Sequence, residues 1–443
     1  MVNRREFLGI TVSAGATLAF TPELVRALQQ GKLIQRAIPS TGEMLPVISF
    51  APRPTGPRGP GEIKPAPTDV PVAREVLKTF LDNGGKVVDV LHGGPIGENA
   101  ARTAATELGI QDRFFWTTPL SVNVPTLPGY AGPPPKPDAA AVRAAMEEKF
   151  ARFKVPMIDL VMVGSNVEMA THLAVLRELK KEGRVRYIGV HHLAFPPNAP
   201  QPAFGNLESI MRNEPIDFIG TDYSVGDRRI EQTILPLAQE RKIGVMAYFP
   251  FDRRRIFERA STTPLPEWAA EFDAKTWAQF FIKYVLSHPT VTVVRTGTTR
   301  AAHMLENIGG GIGRLPDEAM RNRMAALVDT FPPTPVPAPQ QLQMQQQPAN
   351  QAPPVVLSAA ILERYVGEYN YAAAGQTVTV RRDGARLLMK ISGNAPEGPL
   401  VARSETRFQG PFGLLIEFQL DGQAKVTGAT VEQGPYRIPL ERK

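Results

Sequence analysis

Cysteine is absent from the 443 residues, which excludes disulfides, thiolate nucleophiles and cysteine-ligated zinc together. Lysine and arginine form no run of the kind that marks a nucleic-acid arm. The 50 basic and 43 acidic residues are spread along the chain, so the formal charge of +7 reads as solubility, with no nucleic-acid partner. The apolar segment from Phe7 to Phe20 falls short of the about 20 residues a membrane-spanning helix needs. No Gly-x-Gly-x-x-Gly follows the first strand, which argues against an open dinucleotide-binding sheet. No tyrosine occurs before Tyr130, and that absence becomes important at the candidate site.

What the chain does have begins with Arg4-Arg5, set directly before the Phe7 to Phe20 segment. Arg-Arg-x-Phe-Leu before a Gly/Ala/Thr-containing apolar stretch resembles a twin-arginine export signal, with a leader over 1–32 and a periplasmic or other extracytoplasmic address. Ala14-Gly15-Ala16 offers a cleavage site; retention of the leader is the other outcome and the only route to a membrane tether.

Beyond the leader, Ile38 to Ala51 reads as a short hairpin turning at Thr41-Gly42, followed by an apolar strand from Val47 to Phe50. After a Pro-rich loop, Val72, Val76 and Phe80 with Ala73, Leu77 and Leu81 predict a helix face that stops at Asn83-Gly84-Gly85. Strand and helix then alternate to about Thr330, interrupted by a Pro/Gly insertion at Val124 to Pro137 and another at Phe251 to Phe272. Eight short, continuously apolar strands, nearly all followed by helices, predict a closed (β/α)8 TIM barrel over 33–331. Residues 332–355 are too rich in Pro and Gln to pack and read as a linker. The remainder, 356–443, has period two and turns at Asp383-Gly384 and Asp421-Gly422, which predicts a small antiparallel β domain. Through Leu362-Glu-Arg-Tyr-Val-Gly-Glu-Tyr and those two turns it resembles the C-terminal β domain of secreted serine-hydrolase-type proteins. Nothing in it looks catalytic; packing, dimerisation and ligand binding stay open as its role.

Several barrel segments together resemble the aldo-keto reductases, and in particular a secreted branch of them. These are Ile38 to Pro46, Arg184 to Val190 (RVRYIGV), Leu235 to Pro250 (LPLAQERKIGVMAYFP), Thr296-Gly297-Thr298 with Leu305-Glu306-Asn307, Leu265 to Asp273 and Ser287 to Val293. The resemblance implies an NADP-dependent oxidoreductase acting on a small carbonyl substrate. It also implies a catalytic Asp and Tyr at the end of strand two, a Lys on strand three and a His on strand four. Asp89 takes the Asp position within VVDVLHGGPIGEN, but Gly94, Pro119 and Gly164 stand where the Tyr, Lys and His belong. Neither Gly nor Pro carries a side-chain proton, so the expected general acid is missing.

For the cofactor, Tyr248 matches the nicotinamide-stacking aromatic, and Glu306 with Asn307 matches the adenine-end pair. Arg295 through Thr298 (Arg295, Thr296, Gly297, Thr298) lies on the cofactor segment, with Arg295 and Arg300 as candidate phosphate partners. Against these, His191-His192 and Gly220 replace polar residues that the family uses to hold the nicotinamide. Asp89, His92, one of His191 and His192, Asp222 and Tyr223 all fall at strand ends, where a barrel has its active site. Adjacent strand residues face opposite ways, so one of the two histidines looks inward; His191 joins Asp89 and His92 as a candidate catalytic residue. No spacing marks a metal site. His92 to Gly97 at a helix start and Arg253-Arg254-Arg255 are two candidate anion grips. The competing reading is a non-redox pseudoenzyme or ligand-binding barrel, or a His-dependent hydrolase or lyase.

Overall fold

The computed structural model describes residues 31–55, 66–91, 94–193, 204–332, 354–434 and 436–443. The leader motif, His92 and nearly all of the linker lie outside the described residues. The described chain forms two units, one of Met1–Ser121 with Arg143–Pro335 and the other of Val122–Val142 with Val336–Lys443.

The first unit opens with the expected hairpin, β1 (Gln35–Ala37) against β2 (Met44–Pro46). Gly42 takes φ +79° at its turn, a conformation that glycine reaches without a Cβ clash. Eight parallel strands follow: β3 (Ile48–Ala51), β4 (Val87–Asp89), β5 (Phe115–Leu120), β6 (Ile158–Gly164), β7 (Val185–His192), β8 (Phe218–Asp222), β9 (Gly244–Tyr248) and β10 (Val291–Gly297). They close in the order β10-β3-β4-β5-β6-β7-β8-β9, the (β/α)8 barrel the sequence predicts. Around them run α1 (Asp69–Asp82), α2 (Gly94–Glu107), α3 (Ala139–Phe153), α4 (Met169–Lys181), α5 (Gly205–Asn213), α6 (Ile234–Glu240), α7 (Arg255–Ala260), α8 (Trp277–Ser287), α9 (Ala301–Gly309) and α10 (Glu318–Asp329).

Helix α1 buries Ala73, Val76, Leu77 and Phe80, four residues of the face its periodicity predicts. Its stop is steric as well as conformational: Gly84 has φ +84°, and a Cβ at Gly85 would lie 2.2 Å from the Phe80 ring. Inside the barrel, Val87, Phe115, Leu160, Met162, Tyr187, Phe218, Met246 and Val293 form one cluster with Ile38 and Leu45 of the hairpin. The barrel is thus a filled core, with its working end restricted to the C-terminal tips of the strands.

The second unit is built on α11 (Ala359–Glu363) and eight antiparallel strands, β11 (Gly367–Tyr371), β12 (Gln376–Asp383), β13 (Arg386–Ile391), β14 (Gly398–Ala402), β15 (Arg407–Gln409), β16 (Leu415–Leu420), β17 (Val426–Gln433) and β18 (Tyr436–Arg442). They close into a meander barrel, so no strand edge is left open. Alternate residues such as Val378, Val380, Leu387, Met389, Ile416 and Phe418 fill it. Tyr365 packs on Phe418 with ring centroids 4.6 Å apart. Asp383-Gly384 makes the expected tight turn, with Gly384 at φ +62°. At the second turn the loop is longer than two residues, because Asp421 accepts from the amides of Gln423 and Lys425 and Ala424 takes the left-handed position.

One feature differs from the sequence reading. The Pro/Gly insertion after β5, read there as a barrel loop, belongs to this second unit. Leu127 is part of its core, and the Gln376 side chain bonds both the N–H (2.7 Å) and the C=O (3.1 Å) of Leu127. A single amide thereby meets both backbone groups of a buried residue.

Candidate active site

Strand residues two apart share a face, so the core cluster fixes which side chains look inward at the strand tips. Continuing from Val87, Phe115, Met162, Tyr187, Phe218, Met246 and Val293, the inner layer at the C-terminal end consists of Asp89, Thr117, Gly164, His191, Gly220, Tyr248 and Arg295. Ser49 pairs in register with both Val87 and Arg295 and joins them.

The layer has two unlike sides. On β4, β5 and β6 Asp89 is present, but Gly94, Pro119 and Gly164 stand where the resemblance leads one to expect Tyr, Lys and His. Gly94 sits at φ +58° at the start of α2, where a Cβ would meet nothing within 4 Å. The backbone there is one a tyrosine disfavours, so the emptied place is built for glycine. Pro119 lacks an N–H, which a central strand tolerates here because β4 ends at Asp89, opposite Thr117, two residues earlier.

On β7, β9 and β10 the side chains are large and polar, with Tyr248 and Arg295 buried and His191 half-buried. Asp89 Oδ2 lies 2.9 Å from Arg295 Nε, with both side chains almost fully enclosed. Asp89 Oδ1 accepts from the Leu91 amide at 2.9 Å. The Tyr248 phenol feels the charge of the same carboxylate, and the Arg295 guanidinium lies 5.4 Å from the Tyr248 ring centroid. Burial pushes the Asp89 carboxyl upward while Arg295 and the Leu91 amide oppose it. Burial beside Asp89 drives the Tyr248 phenol well above its usual range, keeping it protonated. Tyr248 reaches this position over Gly220, where a Cβ would fall 2.5 Å from its ring and hydroxyl.

His191 lies against Gly164: a Cβ there would be 3.2 Å from its Cε1 and 3.4 Å from its Nε2. Burial, with the charge of Arg295, lowers its pKa to about 4. His192 faces the other way, with Nδ1 2.8 Å from the Ser165 hydroxyl, so the inward histidine is His191. Asp222 holds Arg253 at 2.6 Å, and burial raises its pKa to about 6. Tyr223 is turned out of the layer, donating to Glu231 at 2.5 Å and receiving from Arg321 at 3.0 Å.

The mouth above β10 is cationic. Arg253 is spoken for by Asp222 and Arg255 by Asp252 at 2.5 Å, which leaves Arg254 as the available member of that run. Arg53, Arg254 and Arg300 have no carboxylate partner among the described residues. Arg53 feels the charges of Arg295 and Arg254, and His303 those of Arg300 and Arg254; burial together with these charges lowers both. Gly297 lets this group close up, since a Cβ there would come within 3.3 Å of the Arg53 Cδ.

The remaining candidates are occupied locally. Thr296 donates to the Ser49 carbonyl at 3.0 Å, and Thr298 accepts from the Arg300 amide at 3.0 Å at the start of α9. The Glu306 carboxylate receives the Thr276 hydroxyl and burial raises its pKa; Asn307 is buried in α9. Arg295, expected as a phosphate partner, is instead committed to Asp89 inside the barrel.

The aldo/keto reductase family model matches residues 62–327. The chain belongs to the aldo/keto reductase family. A Glycine max protein named "Probable aldo-keto reductase 1" is 25% identical over 215 residues, which are 42% of this chain and 60% of that relative's length. Among solved structures, the holo form of an aldo-keto reductase from Bacillus halodurans superposes with a TM-score of 0.50 at 20% identity, covering 67% of this chain and 96% of its own. An aldo-keto reductase from Klebsiella pneumoniae in complex with NADPH gives 0.50 at 17%, covering 68% and 96%. A glycerol dehydrogenase from Gluconobacter oxydans gives 0.51 at 17%, covering 68% and 97%. At these identities the likeness speaks for the fold.

Within this aldo/keto reductase barrel, sequence reading found Asp89, His191 and Tyr248 but not what joins them. It also missed Arg53 and His303. Arg53 sits in a Pro-rich stretch that reads as loop, and the one signal for it was its nearness in sequence to the end of β3.

Proposed function

We propose that this chain is an oxidoreductase that binds a phosphate-bearing nicotinamide dinucleotide, NADP, and acts on small carbonyl compounds. The observation that carries the reading is the set Arg53, Arg254 and Arg300, gathered at the tip of β10 with no carboxylate partner among the described residues. The three guanidinium groups are exposed; uncompensated like charges held close together repel one another, and an anion that accepts from several of them removes that cost. Membership of the family supports a dinucleotide as that anion. The inner layer fits the reaction end in part. Tyr248 is enclosed rather than open for stacking, while the neutral His191 imidazole and the Thr117 hydroxyl are available to polar groups. When bound, a reduced nicotinamide supplies the hydride. The protein's share is to grip the phosphates with the three arginines and to hold a buried proton on Tyr248 against the Asp89–Arg295 pair.

Titration of the purified protein with NADPH, followed by cofactor fluorescence, tests this reading. Saturable binding is expected, weakened by about tenfold or more in Arg254→Gln/Arg300→Gln through loss of two charge-assisted contacts. No binding at about 1 mM cofactor, a free energy of only about −4 kcal/mol, sinks the reading. That result would favour the second reading, a non-redox ligand-binding barrel, for which the emptied positions Gly94, Pro119 and Gly164 speak. We also propose export by the twin-arginine route from Arg4-Arg5; replacing both by lysine should hold the protein in the cytoplasmic fraction, and unchanged export would contradict it.

A further inference from the structure

Among the described inner-layer residues, His191 has two ring nitrogens whose hydrogen bonding is unmet. Both ring nitrogens are sealed from solvent and neither has a partner. A neutral imidazole carries one N–H and one lone pair. Leaving such groups unpaired costs free energy, and native proteins rarely do so without a reason.

The ring's position supplies a reason. With Asn166, whose Oδ1 would lie 2.7 Å from a Cβ at Gly164, the ring borders the space that a side chain there would take, its Cε1 and Nε2 at 3.2 and 3.4 Å, one strand away. Other inner-layer atoms likewise lack a hydrogen-bond partner, the Ser49 and Thr117 hydroxyls among them. Charge is already balanced in this layer, because Arg295 pairs with Asp89 and the imidazole is neutral at physiological pH. A neutral, oxygen-bearing ligand therefore suits the layer better than an anion, whose place is the arginine set at the mouth. His192 has no such role, since its Nδ1 is engaged by Ser165.

We propose that His191 is a substrate-contacting residue that supplies, from β7, the imidazole missing at Gly164 on β6, and hydrogen-bonds the oxygen of a small neutral carbonyl or hydroxyl compound. The ligand class rests on the oxidoreductase reading; the placement of the histidine rests on geometry alone.

Glyceraldehyde is the probe. In protein with isotope-labelled histidine, the His191 ring signals are assigned among the six histidines by their loss in His191→Gln, and glyceraldehyde is then titrated to its solubility limit. The His191 signals should shift saturably. His191→Ala should weaken probe affinity by about tenfold, the value of one neutral hydrogen bond of about 1.4 kcal/mol. The double variant His191→Gly/Gly164→His, which returns the ring to β6, should recover most of that loss. Should His191→Ala fail to fold, as judged by its urea unfolding curve, the signal shift and the double variant still decide the matter. His191 signals that stay put, or equal affinity in wild type and His191→Ala, overturn the proposal and leave a water molecule as the ring's partner. NADPH titration of the same samples separates the two claims: absent cofactor binding with an intact His191 response defeats the oxidoreductase reading and leaves the histidine assignment standing.

Discussion

The tips of β4 to β6 and the tips of β7 to β10 belong to one inner layer of one barrel, yet they have gone opposite ways. On the first side Gly94, Pro119 and Gly164 stand where the sequence resemblance leads one to expect the family's Tyr, Lys and His, beside Asp89. On the second side His191, Tyr248 and Arg295 are large and turned towards that emptied space, Tyr248 and Arg295 buried and His191 half-buried. His191 lies over Gly164, Tyr248 over Gly220, and Arg295 reaches Asp89. The difference teaches that glycine at a strand tip is not merely a lost side chain. It is also the clearance that lets a neighbouring strand's residue lean in, because a close-packed interior fills the volume it vacates.

Breaking the link between the sides should have the largest effect. Asp89→Ala strands Arg295 in a buried site without its carboxylate and should cost about 3–5 kcal/mol, measured as loss of unfolding free energy in urea. Replacing both, as Asp89→Ala/Arg295→Met, should recover much of it. A single-variant cost no larger than that of a surface substitution would mean the pair is not the tie described.

Closing the clearance comes next. Gly220→Ala places a methyl group 2.5 Å from the Tyr248 ring, which cannot yield freely because it is enclosed. Destabilisation of about 1–3 kcal/mol is expected, together with altered near-ultraviolet tyrosine absorption. Refilling the emptied side should help least. Gly94→Tyr restores the family's residue type on a backbone at φ +58° and should cost about 1–2 kcal/mol. A gain of carbonyl turnover in this variant would show that the two sides are more alike than the geometry implies.

The smallest effect is on pH dependence. His191 is depressed from 6.5 to about 4, so between those values the unfolded chain takes up a proton that the folded one refuses. The stability this group contributes is present above 6.5 and is lost as the pH falls towards 4. His288, also lowered to about 4 by burial, acts in the same sense. Asp222, raised to about 6, acts oppositely, gaining stability as the pH falls. Urea unfolding at a series of pH values should therefore show a shallower acid loss in His191→Gln than in wild type; an identical profile would place His191 in contact with water.

Much of this was legible from residues alone. Continuous apolar runs marked the barrel strands, the hairpin turn fell at Gly42, and Asp89 stood where β4 ends. The expectation of three emptied positions came from the resemblance, because strand ends number themselves once the barrel is recognised. What stayed hidden depended on contacts far apart in the chain. Asp89 and Arg295 meet only because β10 closes the barrel beside β3, next to β4, and no local pattern announces that. Arg53 was masked by surrounding prolines, and Leu127 looked like loop because its partner, Gln376, lies 249 residues further along the chain. Sequence periodicity reports which face a side chain takes; it does not report which neighbour's vacancy it fills.

The central claim is that the cofactor grip survives on the β10 side of a barrel whose β4 to β6 chemistry has been emptied. A difference electron-density map from crystals of the protein soaked with NADPH tests it most directly. The account predicts phosphate density against Arg53, Arg254 and Arg300. Density for the cofactor at any other place, or none in crystals whose mouth is open to solvent, would contradict it.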